Sequence, residues 1–157
     1  INGDGSLVAP LDYYVEALPG ECLLLARFII HIVAATDVGP GEYGDIPRLT
    51  NGIQLFYMRG GVKFNISDGL PLHTHEDLGR WAFYSHTIPY GPSGRTPYFQ
   101  ARWTMTKYGS PWGLVLNEGD QIGVRLRDPL GGLEEQTIIA EGIHLGAPNP
   151  QWVDILT

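Results

Sequence analysis

The sequence has one cysteine, two methionines and little charge. A lone Cys22 rules out an internal disulfide, and its place at the head of an apolar run predicts a buried, inert thiol rather than a nucleophile. Charged residues make up 17%, below the quarter usual for a soluble domain, which suggests that part of the surface is covered, most simply by other copies of the chain. Ten basic residues against seventeen acidic ones give a net charge of -7, and phosphate backbones would repel such a chain, so nucleic acid is not an expected partner. No apolar run reaches the ~18 residues a membrane-spanning helix requires. There is no GxSxG elbow and no phosphate-binding glycine loop, since the glycine pairs at Gly60 and Gly131 sit in turns. Helical periodicity is missing too, apart from an optional helical turn at residues 76–80. Neither a repeat nor a linker divides the chain. It opens on Ile1 with no visible signal peptide, and the missing initiator methionine leaves room for a segment ahead of it.

What is abundant is strand and turn chemistry. With 21 glycines and 12 prolines in 157 residues, the composition suits many short strands joined by turns in one domain. The organising stretch is residues 22–35, CLLLARFIIHIVAA, entered through Pro19-Gly20. Phe28, Ile29, Ile30, Ile32 and Val33 lose side-chain freedom in a helix and pack well on a pleated surface, so this reads as a long central strand. Residues 12–17 precede it as a first strand. Residues 36–50 read as a loop, long for a compact domain and therefore functional, interface-forming or disordered. A hairpin follows over residues 53–58 and 62–66, turning at Arg59-Gly60-Gly61. Further strands are expected at 81–88, 98–107, 113–116, 121–127 and 134–144, with an exposed loop at 89–97. In the 98–107 strand, Phe99, Ala101, Trp103 and Met105 fall on one face. The expected fold is an antiparallel β-sandwich of jelly-roll type with about eight strands. It comprises an N-terminal arm over 1–11, the sandwich over 12–144, and a tail over 145–157 that docks on the body or a neighbour.

Chemical constellations are few. His73-Thr74-His75-Glu76 on an extended segment would put both imidazoles on one side, where a carboxylate could complete a metal site, as in cupin jelly rolls. The cupin spacing is not met: the glutamate expected four or five residues after the second histidine is missing, and His144 lacks its later partner. A polar loop with surface histidines is the preferred reading, and no cofactor is implied. Asp37, Glu42 and Asp45 could offer oxygen ligands to calcium, but their spacing fits a solvated loop better. His86, inside an expected strand, reads as packing. Tyr90, Tyr98, Trp103, Tyr108 and Trp112 could stack on sugars, against the plainer reading of core and interface packing.

One resemblance goes further. The run YVEALPGE at 14–21, then LARFIIHI at 25–32, a loop containing Tyr43-Gly44, LTNGI at 49–53, SDGLPL at 67–72 and ARWT at 101–104 together resemble a small accessory virion protein of tailed bacteriophages. The resemblance implies a structural, non-enzymatic role, as a capsid decoration or cement protein or a head-tail component, located on the virion. It implies the major capsid protein or other virion proteins as partners, together with a dimer or trimer of the chain itself. Residues 73–76 and the loop PYGPSGRTPY fall outside the pattern and leave room for a separate contact. By location, the expected interface residues are Tyr43, Arg48, Tyr90, Arg95, Tyr98 and Trp152. A carbohydrate-binding sandwich is the alternative, and a cupin-like metalloenzyme the third reading.

Overall fold

The computed structural model describes residues 5, 6, 8–66, 71–81, 96–107, 112–131 and 133–146. They build two antiparallel four-stranded sheets, with eight strands β1(Leu11–Glu16), β2(Cys22–Val38), β3(Ile53–Arg59), β4(Val62–Asn65), β5(Thr96–Thr104), β6(Leu114–Asn117), β7(Gln121–Leu126) and β8(Glu135–Gly146) and one short helix, α1(His75–Trp81). The chain is an all-β sandwich.

The first sheet runs β1-β7-β3-β4. The second is assembled on β2, whose 17 residues pair with three strands. β8 lies along Cys22 to Val33, whereas β6 covers only Cys22 to Leu25 and β5 begins at Arg27. A strand has two edges, so β8 holds one of them and β6 and β5 share the other end to end.

The sequence of β2 alternates poorly because the strand changes phase once. Against β8, Leu25 pairs with Gly142 and Arg27 with Glu141, leaving Ala26 as a bulge. One extra residue shifts the side-chain parity. Leu23 and Leu25 therefore point inward before the bulge, and Phe28, Ile30 and Ile32 do so after it. Two glycines hug the bulge: a Cβ on Gly142 would lie 2.1 Å from the Leu24 carbonyl oxygen, and one on Gly113, which has φ +139°, 2.2 Å from that of Leu25. Neither neighbour could approach so closely with a side chain.

The core fills the space between the sheets. Phe28, Ile30 and Ile32 meet Phe99, Ala101 and Trp103 from β5, and Ile53, Leu55, Ile122, Val124 and Leu126 from the facing sheet. The Phe28 and Trp103 rings are tilted against each other with centroids 6.3 Å apart. Burying each such side chain contributes roughly 2–3 kcal/mol. The inward face expected for Phe99, Ala101, Trp103 and Met105 is found, and all four are buried.

Several boundaries differ from expectation. β2 continues through Thr36, Asp37 and Val38, so the long loop starts three residues later; Val38 pairs with Thr96, and the Asp45 carboxylate holds the Ala35 and Thr36 amides. Correspondingly, Thr96 and Pro97 belong to β5 rather than to a loop, with Pro97 tolerated where the register of β2 and β5 is irregular. β5 stops at Thr104, and Met105–Lys107 form a 3-10 turn. Trp81 closes α1 instead of opening a strand, because Thr74 caps a helix there; residues 82–88 of that expected strand lie outside the described residues. Leu11 belongs to β1, and Leu145 and Gly146 to β8 rather than to a tail.

Candidate functional site

The histidine pair does not converge. Thr74 acts as helix N-cap, its Oγ1 accepting the Asp77 amide at 3.1 Å, while the Asp77 carboxylate accepts the His73 amide at 2.9 Å. This reciprocal capping starts a helix where an extended segment was expected, and it turns the two imidazoles to different neighbours. His73 Nδ1 lies 2.8 Å from the Leu49 carbonyl oxygen, to which it donates. His75 is not a surface histidine: it is 1% exposed, stacked on Phe99 with centroids 4.3 Å apart, and its Nε2 accepts the Gly44 amide at 2.9 Å. With Nε2 as acceptor, the neutral ring carries its proton on Nδ1, which finds no partner among the described residues. Burial lowers its pKa to about 4, and nearby Glu42 offsets this only in part. Glu76 is exposed on the first turn of α1. Among the described residues no three His, Cys, Asp or Glu side chains come together as a metal site.

The acidic set serves the backbone. Asp45 accepts the Ala35 amide at 2.8 Å, and the Glu42 carboxylate accepts that of Gly39. Tyr43, an expected interface residue, is fully buried, and its hydroxyl donates to Gln136 Oε1 at 2.6 Å. Burial drives its pKa far upward. The correction has a plain cause: the turn at residues 43–46 folds inward over the sheet, where Gly44 packs against Leu133 and Ile32. Of the other expected interface residues, Arg48 and Tyr98 are exposed, and Tyr90, Arg95 and Trp152, with His86 and Tyr108, lie outside the described residues. Of the aromatic set, Trp103 is core and Trp112 is 70% exposed. Cys22 is buried, its thiol directed at Asn117 Oδ1 3.6 Å away, and burial with nearby Asp120 raises its pKa.

Two buried carboxylates escaped the sequence reading. Asp128 accepts the amides of Thr50 at 3.1 Å, Asn51 at 3.0 Å and Gly52 at 2.7 Å, fixing the entry to β3. Asp120 accepts the Asn117 amide at 3.0 Å and that of Gly60 at 3.3 Å, joining two turns. The visible signals were only Arg127-Asp128-Pro129 and Asn117-Glu118-Gly119-Asp120, both ordinary turn chemistry.

Three surfaces stand out among the described residues. On the outer face of the first sheet, Asp12 of β1 accepts two hydrogen bonds from Arg125, at 2.8 and 3.0 Å, and one from Lys63 of β4 at 2.6 Å. Lys63 Nζ also lies 4.1 Å above the Phe56 ring. Burial pushes the Asp12 pKa up, but the Arg125 and Lys63 bonds outweigh it and hold the carboxyl below its ordinary range. Beside this strap is a groove of about 220 Å³ lined by Gln54, Phe56, Lys63, Asn65 and Arg125. A second groove, about 330 Å³, lies between β1 and β8 where the two sheets end side by side, lined by Tyr13, Tyr14, Val15, Gln136, Thr137 and Ile138. The third surface is the outward face of the second sheet. Cys22 and Val115 form a small separate cluster there, with Leu24 and Leu145 packed on it, and Ile143, 60% exposed, pairs with Leu24.

Comparison with known protein families, curated sequences and solved structures finds no match for this chain.

Proposed function

We propose that this chain is a non-enzymatic structural component of a bacteriophage particle, a capsid decoration or cement protein that stabilises a shell through contacts with the major capsid protein. The observation that supports it best is the apolar outward face of the second sheet, where Leu24, Leu145 and exposed Ile143 lie over Cys22 and Val115, away from the main core. Apolar residues gathered on an exposed face suit contact with another protein. Apart from Asp12, which is held by Arg125 and Lys63, and exposed Glu76, the imidazoles and carboxylates described above are turned to backbone amides and carbonyls, which suits a scaffold. Such a protein works by binding the assembled state more tightly than its parts, so stability follows by mass action without chemistry. The resemblance to accessory virion proteins supplies the particle, and the finer jelly-roll connectivity belongs to the same proposal.

The test is addition of purified protein to phage shells assembled without it. Co-sedimentation at saturating stoichiometry, with a raised shell-disruption temperature, is the expected result; shells that neither bind nor stabilise overturn the reading. A carbohydrate-binding sandwich is the second reading, favoured by the groove in which Gln54, Asn65, Lys63 and Arg125 surround Phe56. A glycan screen with specific, competable binding would place it first.

A further inference from the structure

We infer that the outer edge of β8 is a self-pairing surface, on which a second copy of this chain adds its own β8 antiparallel across a two-fold axis. The observation is a contrast among sheet edges. β4 and β6 are four residues each, and β4 carries Lys63. β1 is six residues long, enters from Pro10 and carries Asp12 and Glu16, and β5 carries Pro97 near its start. Short strands, prolines and charges are the means by which edges are kept from pairing.

β8 has few of these. It is 12 residues long, contains no proline, lysine or arginine, and pairs only with β2 among the described residues. Its mid-strand charge, Glu141, is met by Arg27 at 3.1 Å, with both side chains about half exposed. Ile139 and Ile143 flank Glu141 on the outward face and are themselves exposed. An edge of this kind, left open, is an aggregation site, so a closed pairing is its stable form.

Symmetry narrows the register. A two-fold axis perpendicular to a sheet must pass between two copies of one residue, because opposed residues share a face and neighbours in sequence do not. An axis at Glu141 pairs residues 138–144, in which Gly142 and His144 are exposed as well, with the same stretch of the partner subunit; Gln136 is buried and the β8 register breaks between His144 and Gly146, so the pairing ends there. It sets Ile139 against Ile143 of the partner subunit on the outward face, the type of cross-strand apolar contact that favours pairing. The two glutamates that meet at the axis each bring an Arg27, so the like charges meet already neutralised. β6-β2-β8 then continues through the partner's β8, and the apolar outward faces of both copies become one.

The geometry stands without the particle reading, but its use, doubling the contact face offered to a shell, rests on it. Light scattering of the purified chain over a range of concentrations is expected to give a dimer. Ile143→Lys and Ile139→Lys, both at exposed positions, are expected to weaken it roughly tenfold or more while the circular dichroism spectrum stays that of the folded chain, with thermal unfolding lowered only as far as the lost association accounts for. Glu141→Cys is expected to form a disulfide-linked dimer on mild oxidation, whereas Glu134→Cys is not. A monomer at all concentrations overturns the inference, as does a trimer, which antiparallel self-pairing cannot build, or a dimer indifferent to both lysine variants. Shell binding is read separately: a monomer that still adds to shells overturns the pairing alone, and a dimer that adds to none overturns the shell reading alone.

Discussion

His75 Nε2 accepts the Gly44 amide across 31 residues of sequence, and with it the turn at 43–46 is fastened to α1. Two backbone bonds accompany this contact, from the His75 amide to the Glu42 carbonyl at 2.8 Å and from the Glu76 amide to the Pro40 carbonyl at 2.9 Å. The imidazole can accept from Gly44 only while it is neutral, which makes this fastening sensitive to acid.

Its folded-state pKa of about 4 lies below the ordinary 6.5, so the unfolded chain takes up the proton first. The His75 contribution is therefore complete above pH 6.5 and is lost as the pH falls from there toward 4. The loss amounts to about 1.4 kcal/mol per pH unit, or roughly 3 kcal/mol in all. Urea unfolding at several pH values should show a shallower acid slope in His75→Phe than in the parent over that window. An NMR titration placing the His75 pKa at or above 6.5 would contradict this account.

The Asp12 strap titrates elsewhere. Its folded pKa is depressed below 3.8, so its stabilisation is present above that value and disappears only as the pH falls further, through the folded pKa. Asp12→Asn should cost about 1–2 kcal/mol at neutral pH, because three hydrogen bonds from two cations are weakened at a site that is only partly shielded from water. The cost should shrink in high salt. A loss independent of salt would point to packing instead.

Asp128→Ala should be among the most damaging single changes. It leaves the amides of Thr50, Asn51 and Gly52 without their acceptor in a buried place, for a cost of roughly 3 kcal/mol. Asp128→Asn keeps one oxygen in position and should recover a good part of that. Chemical denaturation of the two variants side by side checks the order, and equal losses would show that the amides find other acceptors.

Gly142→Ala tests the bulge. The added carbon would meet the Leu24 carbonyl oxygen and the Leu25 Cα, which are backbone atoms that cannot swing aside. A loss of about 2–4 kcal/mol is expected, with hydrogen exchange accelerated first at the β2–β8 junction. A neutral outcome would mean that β8 can shift along β2.

How much of this was legible depended on distance along the chain. The β3–β4 hairpin was readable because Gly60 and Gly61 take φ +55° and +78°, the conformations their turn requires. β2 was readable as a strand from Phe28, Ile29, Ile30 and Ile32, but not its change of phase at Ala26, which exists only against Gly142. Nor could local pattern show that Thr36 to Val38 extend the strand, since Val38 finds its partner at Thr96. His75 and Tyr43 looked like surface residues because each follows polar or turn-forming neighbours; they are buried by Phe99 and Gln136, contributed from far down the sequence.

The arrangement around β2 also sets an order of events. Its partners are supplied by residues 96–104, 114–117 and 135–146, so no stretch of the most apolar segment can be paired until much of the chain has followed it. Contacts of such long sequence separation form slowly, since loop closure must come first. During synthesis the segment leaves the ribosome long before its partners do. It then spends that interval as an exposed sticky ribbon, which makes the nascent chain a natural client for a chaperone.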